Sequence, residues 1–149
     1  MLRKSIKTIK KRFQDKNVNI TLNLNNLKLY VIANKFLEDV FKNILTNAIV
    51  HNDSEVKEII INLSREVKER EYAKIEFIDN GRGIGDERKE MIFSIEKMHE
   101  SKSFRMGIGL YLTKLIINSY KGKIWIENRI TGDHSKGSKF LILLPVIPN

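Results

Sequence analysis

The sequence predicts a two-layer α/β sandwich: a mixed, mostly antiparallel sheet covered on one face by helices. Three observations predict it. Helical and β periodicities interleave along the chain, which excludes an all-α or all-β fold. The strand-like stretches of the second half fall in neighbouring pairs, as antiparallel hairpins do. And 149 residues without a repeat, low-complexity tract or linker suit one domain, 1–149, with a core of its own.

The elements follow in order. Leu2, Ile6, Ile9 and Phe13 recur at helical spacing, predicting an amphipathic helix over 2–13. Val18, Ile20, Leu22 and Leu24 alternate with polar residues and predict a half-buried strand. Asn25-Asn26 marks a turn, after which Leu27, Leu29 and Val31 suggest a second short strand. Residues 34–50 form the strongest helix, with Leu37, Val40, Phe41, Ile44, Leu45 and Ala48 as its apolar set. Two β-rich runs, 56–64 and 72–79, flank a charged hairpin tip at 65–71. Residues 86–93 predict a short helix, 94–106 a polar loop, and 108–119 a helix with Leu110, Leu115 and Ile116 inward. Residues 124–130 and 139–144 are strands joined by a polar turn at 131–137.

Composition narrows the function. Hydrophobic content of 42% and charged content of 30% are those of a globular domain. With no cysteine there is neither a disulfide framework nor a thiolate metal site. No apolar run approaches the ~20 residues of a membrane span, so no direct membrane insertion is expected. The expected location is the cytoplasm, including as the cytoplasmic part of a membrane-anchored sensor. The net charge of +9 is concentrated at the N-terminus, where residues 1–16 carry seven cations against Asp15 alone. A solvated helix face explains this better than a nucleic-acid surface, because no base-reading motif or interleaved aromatic accompanies it.

Three segments carry chemistry. Asn43 and Asn47 lie four apart on one helix face, in a stripe with Asp39 and His51 at the border of the apolar face. Their amide oxygens suit a hard cation such as Mg²⁺, which takes one or two protein ligands and completes its shell with water and phosphate. Asparagines that merely bond neighbouring loops would look the same. Asp79 ends a strand and is followed by Gly81, Gly83, Ile84 and Gly85. A carboxylate there can accept a hydrogen bond from an exocyclic amine, and the glycines let backbone approach a flat ring. A simple glycine turn is the alternative. Gly107, Ile108, Gly109 and Leu110 open a helix whose first amides can meet phosphate. Lys97, Lys102 and Arg105 in the preceding loop could close over a triphosphate.

In this order the motifs resemble the ATP-binding catalytic domain of sensor histidine kinases, in the superfamily shared with DNA gyrase, Hsp90 chaperones and MutL (the Bergerat fold). Phe41–Ala48 resembles the asparagine box and Asp79–Gly85 the first glycine box. Ile92-Phe93 resembles the phenylalanine box and Gly107–Leu112 the second glycine box, with Gly137-Ser138 in the final glycine segment. The match runs from about Val18 to Pro145. The resemblance implies that Asn47 ligates Mg²⁺ with Asn43 near the phosphates of ATP. It implies that Asp79 binds the adenine amine, with Gly83 against the ring and Ser138 assisting through water, and that 94–106 is a lid hinged at Gly107 and Gly109.

Three positions depart from the pattern. Val50 stands where the family usually has a lysine or arginine, leaving His51, Lys102 or Arg105 to meet the phosphates. Arg105 stands where the second glycine box usually begins, and the phenylalanine box is degraded after Phe93.

Hydrolytic members of the superfamily carry a glutamate general base one turn before the metal asparagine; here that residue is Asn43, which cannot take a proton at neutral pH. Transfer of the γ-phosphoryl group is therefore expected rather than hydrolysis. Of the histidines only His99 is followed by an acidic residue, Glu100, and it lacks a heptad setting. The acceptor histidine is thus expected on a partner dimerisation domain, with the basic helix at 1–16 as the junction to it and a response regulator as the next recipient. A nucleotide-binding regulatory module without transfer is the alternative.

Overall fold

Five strands form one mixed sheet in the order β1-β2-β3-β5-β4. The computed structural model describes residues 1–94 and 104–148, with the backbone alone at 104–108. The strands are β1 (Val18–Asn23), β2 (Lys57–Val67), β3 (Glu71–Asp79), β4 (Lys123–Ile130) and β5 (Asp133–Pro145). The helices are α1 (Leu2–Arg12), α2 (Phe36–Val50), α3 (Asp86–Met91) and α4 (Phe104–Ser119). Only the β1–β2 pair is parallel; the other three pairings are antiparallel. The expected two-layer α/β sandwich is the one observed. No described helix is long and apolar enough to cross a membrane.

Strand periodicity builds the inner face. Alternate residues of a strand face the same side, and Ile59 and Ile61 of β2, Ile75 and Phe77 of β3, Ile124 and Ile126 of β4, and Phe140 and Ile142 of β5 are all buried in the core. The predicted apolar set of α2 is buried against them, from Leu37 to Ala48. Phe41 meets Phe77 with ring centroids 5.8 Å apart. Burying one such ring contributes about 1.5–3 kcal/mol, and this contact holds α2 on β3 at the level of the site. On the outside, α1 buries Ile6 and Ile9 and turns its basic side chains to solvent.

Several boundaries differ from expectation. Leu27 to Val31 is not a strand; only Val31 pairs, through an isolated bridge to Val146. Asn25 and Asn26 both take left-handed backbone (φ 51° and 56°), so the chain turns too sharply to continue a ladder. The charged hairpin tip shrinks because Arg65–Glu71 and Lys74–Glu66 are cross-strand ion pairs, and β2 and β3 extend through them. The turn before β5 shrinks likewise, since β5 starts at Asp133 after Gly132 (φ 83°). Helix α4 buries Leu110, Thr113 and Ile117, while Leu115 is 47% exposed and Ile116 only partly buried. A threonine thus occupies a core stripe that apolar spacing had assigned to Leu115. Helix α3 stops at Met91, short of 93; Ile92 and Phe93 are buried all the same, Phe93 edge-on to Phe140 at 6.5 Å.

Candidate nucleotide site

The parity that builds the core also builds the site. Asp79 follows Ile75 and Phe77 at the end of β3, and Ser138 precedes Phe140 and Ile142 at the start of β5's buried run. Both therefore emerge on the face that α2 covers. From α2, the i, i+4 spacing delivers Asn43, Asn47 and His51 along one half-buried edge. The result is one pocket lined by Asn47, Ala48, His51, Asp79, Gly83, Ile84, Leu110, Ser138 and Phe140.

Asp79 is 6% exposed. Its Oδ1 accepts hydrogen bonds from the Gly81 amide at 2.8 Å and the Ser138 amide at 3.4 Å. Among the described residues neither bond falls on Oδ2, which is left open to a donor entering the pocket. Burial pushes the Asp79 carboxyl above the ordinary aspartate value, opposed by the two amides and by Arg129. A neutral N–H donor meets this oxygen without requiring a second buried charge.

A second layer holds the strand tip. Asn52 is buried and donates through Nδ2 to Asn80 Oδ1 at 2.8 Å; the same oxygen accepts from the Glu58 amide at 2.9 Å. Asn80 Nδ2 donates to the Val56 carbonyl, and Ser54 Oγ to the Asn80 carbonyl, both at 3.0 Å. The Arg82 amide donates to the His51 carbonyl at 3.2 Å, tying the glycine segment to the end of α2. The glycines are required here by space. A Cβ on Gly83 (φ +73°) would lie 1.5 Å from the His134 carbonyl oxygen, and one on Gly137 (φ +114°) 2.0 Å from the Asp79 carbonyl oxygen. A Cβ on Gly81 would press on Asp79 Oδ1 at 2.9 Å. Gly85 caps α3 in open space and stands outside the pocket wall.

Asn43 faces α4. Its Nδ2 donates to the Gly109 carbonyl at 3.4 Å and to Thr113 Oγ1 at 3.5 Å, and Thr113 Oγ1 donates to the same carbonyl at 2.8 Å. Asn43 thereby joins the two helices, with its neutral amide oxygen left as an acceptor. Asn47, one turn on, lines the pocket itself. Among the described residues no three His, Cys, Asp or Glu side chains converge on a metal position. A divalent ion at this site would use amide, water and phosphate oxygens, a donor set that suits Mg²⁺.

The second glycine segment differs from expectation. Helix α4 starts at Phe104, four residues before the expected start at 108, so Gly107, Ile108, Gly109 and Leu110 lie within it rather than at its opening. Only the first four N–H groups of a helix lack an intrahelical partner. The amides of Ile108, Gly109 and Leu110 fall beyond those four. Arg105 belongs to the first turn of α4, and Lys97 and Lys102 lie outside the described residues. Val50 is 51% exposed and contributes no cation.

The sequence profile of the histidine kinase-, DNA gyrase B- and HSP90-like ATPase family matches residues 32–148. The chain belongs to this family. The fold agrees: the ATPase-family domain superposes on the nucleotide-free catalytic domain of histidine kinase ThkA with a TM-score of 0.80, at 26% identity, covering 99% of this chain and 92% of that one. The mycobacterial sensor histidine kinase MprB gives 0.81 at 18% identity, covering 99% and 93%. Curated relatives include cyanobacterial phytochrome A of a Nostoc species, 28% identical over 97% of this chain. The adaptive-response sensory kinase SasA of a Synechocystis species is 28% identical over 91% of it. The chain spans 18% and 34% of those two proteins.

Within this ATPase-family domain, sequence reasoning placed Asn47, His51, Asp79, Gly83, Ile84, Leu110 and Ser138 in one pocket, and they meet there. It gave no role to Thr113, Asn52 or Asn80, and named Gly137 only as part of the final glycine segment. A threonine three residues after Leu110 was a signal for the first, and an asparagine directly following Asp79 for the third.

Proposed function

We propose that this chain is a single ATP-binding catalytic domain that delivers the γ-phosphoryl group of Mg-ATP to a histidine on a partner dimerisation domain, from which it passes to a response regulator. The observation that carries this reading is the buried Asp79 carboxylate, with Oδ1 satisfied by two amides and Oδ2 open, in the same pocket as Asn47. The adenine amine donates to Oδ2, with Gly83 and Ile84 against the ring and Ser138 beside it. Asn47 would hold the magnesium ion through its amide oxygen, with Asn43 alongside the phosphates. When bound, Mg²⁺ would neutralise charge on the phosphate oxygens. Gly107, Gly109 and Arg105 at the start of α4 lie on the phosphate side, and Lys102 belongs to the preceding segment.

The pocket as it stands has about 30 Å³ of room, space for about two water molecules. Neither Asn43 nor Asn47 can accept a proton from water, which favours transfer to an incoming nucleophile over hydrolysis. We place the domain in the cytoplasm, where ATP and a response regulator are available.

A second reading, a regulatory module that binds nucleotide without transferring phosphate, is favoured by one feature: Val50 leaves the end of α2 without its usual cation. One experiment separates the two. The acceptor domain of a related sensor kinase is supplied in trans with γ-labelled ATP and Mg²⁺. Acid-labile label on the acceptor supports transfer; tight nucleotide binding with no labelled acceptor supports the regulatory module.

A further inference from the structure

Next to the base pocket, Arg82 reaches the His51 ring, with Nη2 3.4 Å from Nδ1. A guanidinium has five N–H donors and no acceptor. A ring nitrogen that faces it must therefore be the acceptor, and in a neutral imidazole the proton then sits on the other nitrogen. Arg82 makes two further contacts on the same side. Its amide is bound to the His51 carbonyl at 3.2 Å, and its Nε pairs with Asp53 Oδ2 at 3.2 Å. These contacts set the guanidinium beside one edge of the ring. His51 meanwhile lines the same pocket as Asn47 and Asp79.

We propose that Arg82 is a positioning residue: it holds the His51 ring with its proton on Nε2, so that His51 serves the nucleotide pocket as a hydrogen-bond donor. The matching atom on the ligand is an acceptor, a purine ring nitrogen or a ribose or phosphate oxygen. Asp79, an acceptor, and His51, a donor, then read two features of opposite polarity on one nucleotide. This rests on the nucleotide reading of the pocket.

The test uses the full chain. Long-range ¹H–¹⁵N correlation spectra of the uniformly labelled protein report which ring nitrogen of each histidine is protonated, with His51 assigned by the signal lost in His51→Gln. The expected result without ligand is the Nε2–H tautomer. Arg82→Glu, which puts an acceptor beside Nδ1, should shift the proton to Nδ1. Titration with a nonhydrolysable ATP analogue and Mg²⁺ should show His51→Ala weaker by about three- to tenfold, the loss of one ordinary hydrogen bond. His51→Gln, whose amide N–H stands near the place of Nε2–H, should recover most of that loss. Thermal unfolding checks that each variant is folded. An Nδ1–H tautomer in the parent chain, an Nε2–H tautomer unchanged in Arg82→Glu, or parental affinity in His51→Ala would each overturn the proposal while leaving the nucleotide site standing. Failure of the parent chain to bind nucleotide at all would overturn both.

Discussion

Asp79→Asn separates the two tasks of this carboxylate. The amide keeps an oxygen where Oδ1 accepts from Gly81 and Ser138, so the loop should stay anchored. What changes is the second position, where an acceptor becomes an NH₂ group facing the adenine amine. The charge-assisted bond lost there is worth about 1.5–3 kcal/mol, and the two opposed, desolvated donors cost about another 1–3 kcal/mol. Discounting for partial relaxation, about 3–5 kcal/mol is expected, a rise in Kd from roughly a hundredfold to several thousandfold. Calorimetric titration with a nonhydrolysable ATP analogue and Mg²⁺ measures it. Because the parent carboxylate is 6% exposed and its ionisation is opposed by burial, the variant without ligand should melt at or slightly above the parent temperature. Unchanged affinity in a normally folded variant would falsify the assignment of the base to this pocket. A lower melting temperature would instead assign Asp79 to holding the loop.

Further outcomes follow from the same geometry. Asn47→Ala should abolish the Mg²⁺-dependent part of nucleotide affinity and leave the metal-free part, as seen by titrations with and without EDTA; equal loss in both would remove the metal assignment. Gly83→Ala should destabilise the fold by at least about 1–3 kcal/mol in thermal melts, because a left-handed residue would also press a methyl onto the His134 carbonyl; a parental melting curve would contradict it.

Nucleotide affinity should decline on acidification at a higher pH than an ordinary aspartate would give, since the acceptor must be ionised and burial raises its pKa. The stability of the ligand-free chain runs the other way. With the folded pKa above the unfolded one, Asp79's contribution is fully present below the unfolded value of about 3.8 and is lost as pH rises through the folded value. An affinity profile flat from pH 7 to pH 4 would count against Asp79 as the acceptor.

Much of the site was legible in the linear chain because its groups sit on regular elements. A period of 3.6 put Asn43, Asn47 and His51 on one edge of α2, and a period of 2 put Asp79 on the inner side of β3. The misreadings cluster where a local signal was outvoted. Gly107 and Gly109 read as a helix entry because glycine disfavours helix interiors. Yet α4 runs through both, and Asn43 and Thr113 converge on the Gly109 carbonyl inside it. The charged run 65–71 read as a tip because its residues are polar. It pairs instead, with Arg65 and Glu71 joined by a diagonal ion pair across the ladder.

By itself the sequence determined which groups could act: two amides, one carboxylate, a set of glycines, and the layered fold that gathers them. Those choices are local, since residue type and periodicity are written along the chain. Only the tertiary structure decided how they are used. It showed that Oδ1 is already taken and Oδ2 is not, that His51 meets Arg82, and that Asp79, Asn47 and Ser138 line one small pocket. Each of these depends on contacts between residues far apart in sequence. Hydrogen-bond partners and free volume arise when distant segments pack, and no periodicity encodes them.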